Sequence, residues 1–289
     1  MKLIVVDNGS TDHTKEIVHA LETQYPGKIK FYDVPDLPDL YHNHQYAFEH
    51  SCFQWIVRVD SDYVAYTDGE YDIMHFRQFL LRHNRGFWPM GVSVIQTNVT
   101  GDFRHTGRAI EHSPADKANR EQKCVPSAIA RPMLRFYRHF PFFGFKRRGR
   151  RGRWKGVRFQ RLIKLTQWSK PLWMHCNIKS DMNHFFRSER TNWREFGDFK
   201  RFPTLRSYIE SIVQEKYGTS DLAEAACIYM QRHVLPYLEP YDPEKYYPYP
   251  ALVAEQMKKN PIYKIYEEEG RLKRRFLGID HPPDQNQND

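Results

Sequence analysis

IVVDNGSTDHT, residues 4–14, is the stretch on which the reading of this chain turns. Leu3-Ile4-Val5-Val6 form an apolar run of strand length, and Asp7 ends it. Gly9 lets the backbone turn tightly. Ser10 or Thr11 is placed to cap the following helix, with Asp12 in its first turn. Ile17, Val18 and Leu21 give that helix one apolar face. Asn8, Ser10 and Thr11 gather donors and acceptors at a helix N-terminus, where negative charge is favoured. Taken alone, the stretch is explained equally well by an ordinary strand-to-helix turn with its cap.

Working outward, YPG at 25–27 ends the helix and KIKFYDV at 28–34 reads as a second strand. A Pro/Asp loop leads to a helix expected over 41–52, and residues 55–59 form a third strand that runs into Asp60-Ser61-Asp62. Strand, helix, strand, helix, strand with short links predicts a parallel α/β sheet. Ligands of such sheets sit beyond the carboxyl ends of the strands, where Asp7 and Asp60-Ser61-Asp62 both fall. Two carboxylates two residues apart at a chain bend suit a hard divalent cation, one that also takes phosphate oxygens and water. A lone triplet of this kind is more often a solvated turn. Further on, the pattern predicts a helix over 74–85, strands at 91–99 and 170–180, helices over 204–217 and 221–233, and a helix near 251–259. A hairpin over 263–276 follows, and the tail from 281 is expected to be disordered.

Together the two motifs, IVVDNGSTDHT (4–14) and WIVRVDSDYV (55–64), resemble the family 2 glycosyltransferases of GT-A fold. The resemblance covers about the first quarter of the chain. It implies a GT-A-like, mostly parallel α/β sheet flanked by helices, and a C-terminal helical extension is expected beyond it. The expected division is 1–120 for the nucleotide-sugar half, 121–203 for the acceptor side and 204–289 for the extension. The implied reaction is transfer of a hexose from a nucleoside-diphosphate sugar to a glycan or lipid-linked acceptor, with inversion, in polysaccharide biosynthesis. The implied cofactor is Mn²⁺ or Mg²⁺, which neutralises charge on the leaving diphosphate. By this resemblance Asp7, Asn8 and Ser10 would line the nucleoside site, with Asn8 standing where a second Asp is usual. Asp60 would lie near ribose and metal, and Asp62 would ligate the metal. Gln45 stands about where the family often has Asn. The family pattern usually opens with one more strand and helix. Here Met1 leads directly into the equivalent of the second strand, so the first pair is expected to be missing or replaced by another segment.

The late His175, in WMHCNIK, is the candidate for a further metal ligand, and Lys179 for a phosphate contact; a core histidine is the plainer alternative for the first. Inverting transfer needs a general base. Asp102, after a strand and a glycine, is the leading candidate, with Glu111 and Asp116 as rivals; each is also explained as a solvated loop acid. His42-Asn43-His44 reads as a helix start.

The chain has 289 residues, 40% hydrophobic, enough for a sizeable core. Its net charge of +9 suits an anionic ligand, nucleic acid or an anionic membrane surface without choosing among them. KRRGRRGRWKGVR at 146–158 carries much of that charge and is expected to be an exposed loop, because glycines interrupt it and like charges repel. Such a loop could touch an anionic acceptor, lie on membrane, or bind nucleic acid, the least favoured partner. The Tyr/Pro stretch EPYDPEKYYPYP, 239–250, is expected to be a connection, with the Tyr and Pro residues of EKYYPYP, 244–250, packed as a surface strap. Four scattered cysteines without a CxxC predict a reducing, cytoplasmic setting, and no stretch approaches the length of a membrane span. A GT-A-like binding module without turnover and a nucleotidyltransferase remain as alternative readings.

Overall fold

The computed structural model describes residues 2–37, 40–82, 90–107, 119–126, 146–148, 154–156, 164–196, 200–259 and 262–277. The chain is mixed α/β. Strand β1 (Leu3–Asp7), helix α1 (Thr14–Gln24) and strand β2 (Ile29–Asp33) form a parallel unit, in register from Leu3↔Ile29 to Asp7↔Asp33. Helix α2 (Leu40–Glu49) packs against β1. Lys15 closes the unit with an ion pair to Asp33 at 2.8 Å, and Glu22 accepts the Phe31 backbone N–H at 2.8 Å. The apolar face expected of α1 is not buried: Ile17 and Leu21 are exposed, and only Val18 is half-covered. Among the described residues β1 and β2 share no ladder with any other strand, so this small sheet offers the helix little surface to cover.

The larger sheet has five strands in the order β3 (Trp55–Val57), β7 (Asn119–Pro126), β5 (Met90–Asn98), β10 (Lys164–His175), β4 (Tyr63–Ala65). Only β5 and β10 are parallel in it; the β3–β7, β5–β7 and β4–β10 ladders are antiparallel. The third strand was expected beside the first two and parallel to them. It lies instead in this second sheet, because an apolar run reports burial and not the direction of its partner. Pro171 has no N–H to give, and the β5–β10 register shifts on both sides of it before resuming at Trp173↔Gln96.

Along β5 and β10 the interior changes character. Val92, Val94, Leu172 and Trp173 form an apolar core with Phe76 and Leu80 of α3 (Ile73–Arg82). Beyond them, toward the carboxyl ends, the buried side chains turn polar: Gln96, Thr97, Asn98, Thr100 and Asp102 on one strand and its loop, His175 and Asn177 on the other. A sheet interior tolerates such a run only when the groups are hydrogen-bonded or serve a ligand. That polar end locates the site.

Between these elements, β6 (His105–Gly107) pairs with β11 (Leu238–Pro240), and the basic run holds two short strands, β8 (Lys146–Arg148) and β9 (Trp154–Gly156), paired antiparallel. Residues 146–148 and 154–156 of the run are thus an element and not a bare loop, even though the register sets Arg147 opposite Lys155. Helices α4 (Asp181–Phe196), α5 (Leu205–Tyr217) and α6 (Leu222–His233) pack around Phe185, Ile209, Val213, Tyr217, Ala225 and Ala226. Thr204 and Ser207 form a capping box for α5, Gly218 ends it at φ +78°, and the Asp221 carboxylate caps α6. Helix α4 has its own cap, Ser180 Oγ accepting the Asn183 N–H at 3.1 Å. The Tyr/Pro stretch keeps Glu244, Lys245 and Pro248 at the surface and turns single rings inward. Tyr241 and Tyr246 are buried against Val99, Phe103 and Met174, since their rings supply the apolar area that closes this flank. Helix α7 (Ala251–Gln256) joins that cluster through Val253, and the expected hairpin is present as β12 (Tyr263–Glu268) and β13 (Arg271–Phe276). No helix among the described residues is long and apolar enough to cross a membrane.

Candidate functional site

The Asp60-Ser61-Asp62 bend is a turn, closed by the Tyr63 N–H donating to the Asp60 carbonyl at 3.2 Å. It feeds β4, which runs antiparallel to β10 with Tyr63 opposite His175. One step beyond, the Cys176 N–H donates to the Asp62 carbonyl at 2.9 Å. The strand pairing therefore delivers Asp62 to His175 across 113 positions of sequence. Asp62 Oδ2 lies 2.9 Å from His175 Nε2 and 3.3 Å from Lys179 Nζ.

A second chain of contacts orients the imidazole. His175 Nδ1 is 3.1 Å from Asn98 Oδ1, which also accepts from Gln96 Nε2 at 3.0 Å. With Nδ1–H given to the Asn98 carbonyl oxygen, Nε2 and the Asp62 carboxylate face each other as two acceptors unless a proton or a cation stands between them. Burial alone would raise the Asp62 carboxyl, but His175 and Lys179 overcome it and hold the group far below the ordinary carboxylate range. Asp62 is therefore an anion at any physiological pH. The neighbouring Cys176 thiol is pushed up to about 12 by burial, with the Asp62 charge adding to it, so it is no nucleophile.

The donor set fits a divalent cation. Cis ligands on an octahedral ion with bonds of about 2.1 Å stand about 3 Å apart, and Asp62 Oδ2 and His175 Nε2 are 2.9 Å apart. A carboxylate oxygen with an imidazole nitrogen suits Mn²⁺ or Mg²⁺. Asp62 and His175 would hold such an ion as a pair, for no group of three His, Cys, Asp or Glu is placed to hold a metal among the described residues. Asp60 is not brought to the pair; its carboxylate faces Arg58 Nε at 3.7 Å.

The first motif is arranged differently. Asp7 is 6% exposed, and its carboxylate accepts from the Gly9 N–H at 3.1 Å, the Ser10 N–H at 2.9 Å and the Ser10 hydroxyl. Gly9 sits at φ +83°, the left-handed turn that the motif's glycine allows. Asn8 Nδ2 donates to the Leu37 carbonyl at 2.9 Å. Asp102 is 3% exposed: the Thr100 hydroxyl and the Arg104 and His105 N–H groups donate to Oδ1, and Oδ2 is 2.5 Å from His105 Nδ1. Burial would raise Asp102, yet the His105 and Thr100 contacts bring it below its usual value. Glu111 and Asp116 lie outside the described residues, as does the side chain of Gln45. His42, Asn43 and His44 sit in the first turns of α2, as a helix start should.

Sequence reasoning missed Asn98 and Gln96, although their signal was present: two amides at i and i+2, hence on one face, at the end of an apolar strand. It also passed over Arg274 and Asp181, whose pairing has no local signature.

The model of the glycosyl transferase family 2 matches residues 1–87. No curated protein matches the chain. Among solved structures the chain is similar to S. aureus TarS residues 1–349, at 12% identity and a TM-score of 0.38, covering 95% of this chain and 87% of that one; the likeness is too loose to carry a shared mechanism. The matched stretch runs from β1 through α3 and includes Asp7, Asp60 and Asp62. Residues 1–87 are thus similar to the family 2 glycosyltransferases.

Proposed function

We propose that the protein moves a hexose from a nucleoside-diphosphate sugar to a glycan or lipid-linked acceptor, using Mn²⁺ or Mg²⁺ held by Asp62 and His175. The observation that carries this reading is the convergence of Asp62, His175 and Lys179 within 3.3 Å at the polar ends of β4 and β10. When bound, the cation would offset negative charge on the departing diphosphate. Asp62 binds through a carboxylate kept ionised by its neighbours. Gln96 and Asn98 fix the ring of His175 so that Nε2 points at the binding position. Lys179 offers its ammonium to the phosphates. Asp7, Asn8 and Ser10 shape the turn that would receive the nucleoside, and Asp60 the ribose.

The base that accepts the acceptor's proton in an inverting displacement is assigned to Asp102, acting through His105. Asp102 itself is enclosed, while the His105 ring retains some exposure. Glu111 is the alternative base. In this reading residues 1–120 serve the donor, 121–203 the acceptor and 204–289 the helical extension. The +9 charge and the basic β8–β9 run suit an anionic acceptor and peripheral contact with an anionic membrane on the cytoplasmic side, as polysaccharide biosynthesis would need.

The test is a thermal-shift panel of UDP-, GDP- and dTDP-sugars with and without Mn²⁺. Cation-dependent stabilisation by one nucleotide class, absent in Asp62→Ala, is expected. A flat response across the panel sinks the proposal, and release of pyrophosphate in place of a nucleoside diphosphate would reassign the chemistry to nucleotidyl transfer.

A further inference from the structure

We propose that the β12–β13 hairpin is a clamp on the two loops at the site and that Arg274 is its positioning residue. Arg274 comes from the far end of the chain, yet its side chain is only 4% exposed. One guanidinium nitrogen, Nη1, pairs with the Asp181 carboxylate at the start of α4, and Nη2 donates to the Lys179 carbonyl at 2.7 Å. The guanidinium also lies 3.6 Å over the ring of Tyr263. That ring presses on the other loop: a Cβ at Gly101 would stand 2.7 Å from Tyr263 Cδ2 and 3.3 Å from the Ile178 backbone. Gly101 adjoins Asp102. The hairpin therefore joins the loop after β5 to the loop after β10, and only a glycine lets the three meet.

The consequence falls on Lys179. Its side chain reaches Asp62 from one side of a backbone that Arg274 holds from the other. Ordering a lysine costs backbone and side-chain entropy, and a tethered carbonyl removes the backbone part of that freedom in advance. The packing beneath the hairpin is polar and unfinished. Asn177 is 2% exposed, neither of its amide atoms has a hydrogen-bond partner, and it lines a small cavity with Thr100, His184, Ile265 and Arg274. A loop seated on such a base does not fix itself, and Arg274 supplies the anchor. The effect on nucleotide rests on the reading that Lys179 meets the diphosphate; the clamp itself does not.

Two measurements on full-length protein separate those claims. The first is acetylation of Lys179 without ligand, followed by mass spectrometry in wild type, Arg274→Gln and Arg274→Lys, with lysines of α1 as internal standards. Lysine keeps the charge but cannot make both contacts at once, so both variants are expected to raise Lys179 labelling about threefold or more. The second is Mn²⁺-dependent nucleoside diphosphate affinity in a double-mutant cycle with Lys179→Met. Arg274→Gln should weaken binding about tenfold in wild type and less than twofold once Lys179 is gone. Unchanged labelling in both folded variants overturns the clamp, as do losses that multiply in the double variant. If wild type binds no nucleoside diphosphate, the sugar-nucleotide reading falls, and the labelling result alone decides the clamp.

Discussion

The two acidic motifs end strands in similar sequence contexts, and the structure treats their carboxylates in opposite ways. Asp7 is satisfied from within four residues, by the N–H groups of Gly9 and Ser10 and the Ser10 hydroxyl. Asp62 is satisfied from 113 and 117 residues away, by His175 and Lys179. The first is a turn that stabilises itself. The second is a concentration of opposite charges brought together by strand pairing, with a donor geometry that a cation fits. A local motif can build the frame of a site, whereas its electrostatics are assembled by the tertiary fold.

If that contrast holds, substitution at the assembled carboxylate should cost function first. Asp62→Ala is expected to abolish Mn²⁺-dependent nucleoside diphosphate binding, a loss of about a hundredfold or more by calorimetry, with the far-UV spectrum unchanged. Wild-type affinity in that variant would break the comparison. Asn98→Ala sharpens it: the amide touches no ligand in this reading, yet freeing the His175 ring should lower metal affinity by about tenfold, within the range seen for groups that orient a metal-binding histidine.

The next effect is on stability and comes from His184, beside the clamp. Burial presses its imidazole down to about 3, with the charges of Arg274, Lys179, Arg187 and His175 adding to the depression. The folded protein keeps this ring neutral while the unfolded chain protonates it near its ordinary value. Between about pH 6.5 and 3 the unfolded state thus binds the extra proton, and stability falls as pH falls. The loss by pH 5 is expected to be on the order of 1–2 kcal/mol, kept modest because the residue is only partly covered. Asp62 contributes in a lower window: its stabilisation holds above the unfolded carboxyl value near 4 and goes only below that. Melting temperatures from pH 7 to 4.5 should therefore drop in wild type and flatten in His184→Gln. An equal slope in both would remove His184 from the account.

How much of this was legible follows the same division. The end of β1, the Asp62 bend, the late histidine and the terminal hairpin each have a signature within a few residues and are found where the sequence placed them; the cap expected at Ser10 or Thr11 is not, because Ser10 turns back to Asp7 and α1 starts only at Thr14, with His13 as its N-cap. Partners were not legible. Trp55–Val57 reads as a strand from its apolar residues, but nothing in them says that it pairs antiparallel with residues 119–126 instead of beside β1. Ile17 and Leu21 form a face that the pattern marks for burial and the fold leaves exposed, because periodicity cannot tell whether a neighbour is present. Helix α4 has a cap at Ser180 and Met182, Phe185 and Phe186 at helical spacing, so it was readable and went unread. Arg274 was not, for its two partners lie 93 and 95 residues back.

The smallest effect belongs to the self-contained motif. Asp7→Asn keeps the size of the side chain and one acceptor oxygen for the Gly9 and Ser10 N–H groups, but sets an amide NH2 against the Ser10 hydroxyl where the carboxylate offered a second acceptor. The turn should weaken by about 1 kcal/mol, the usual cost of losing a charged cap. Asn8→Ala, which gives up one exposed bond to the Leu37 carbonyl, should cost about half as much. Both losses would appear as shifts of a few degrees in melting temperature, with proteolysis at the 8–14 turn rising ahead of global unfolding. Because Asp62 meets His175 and Lys179 through the β4–β10 pairing and not through this turn, the metal affinity of Asp7→Asn should stay at the wild-type level. A metal defect in Asp7→Asn as deep as that of Asp62→Ala would mean that the two strand tips form a single electrostatic site, and the contrast between frame and charge would fail at its first member.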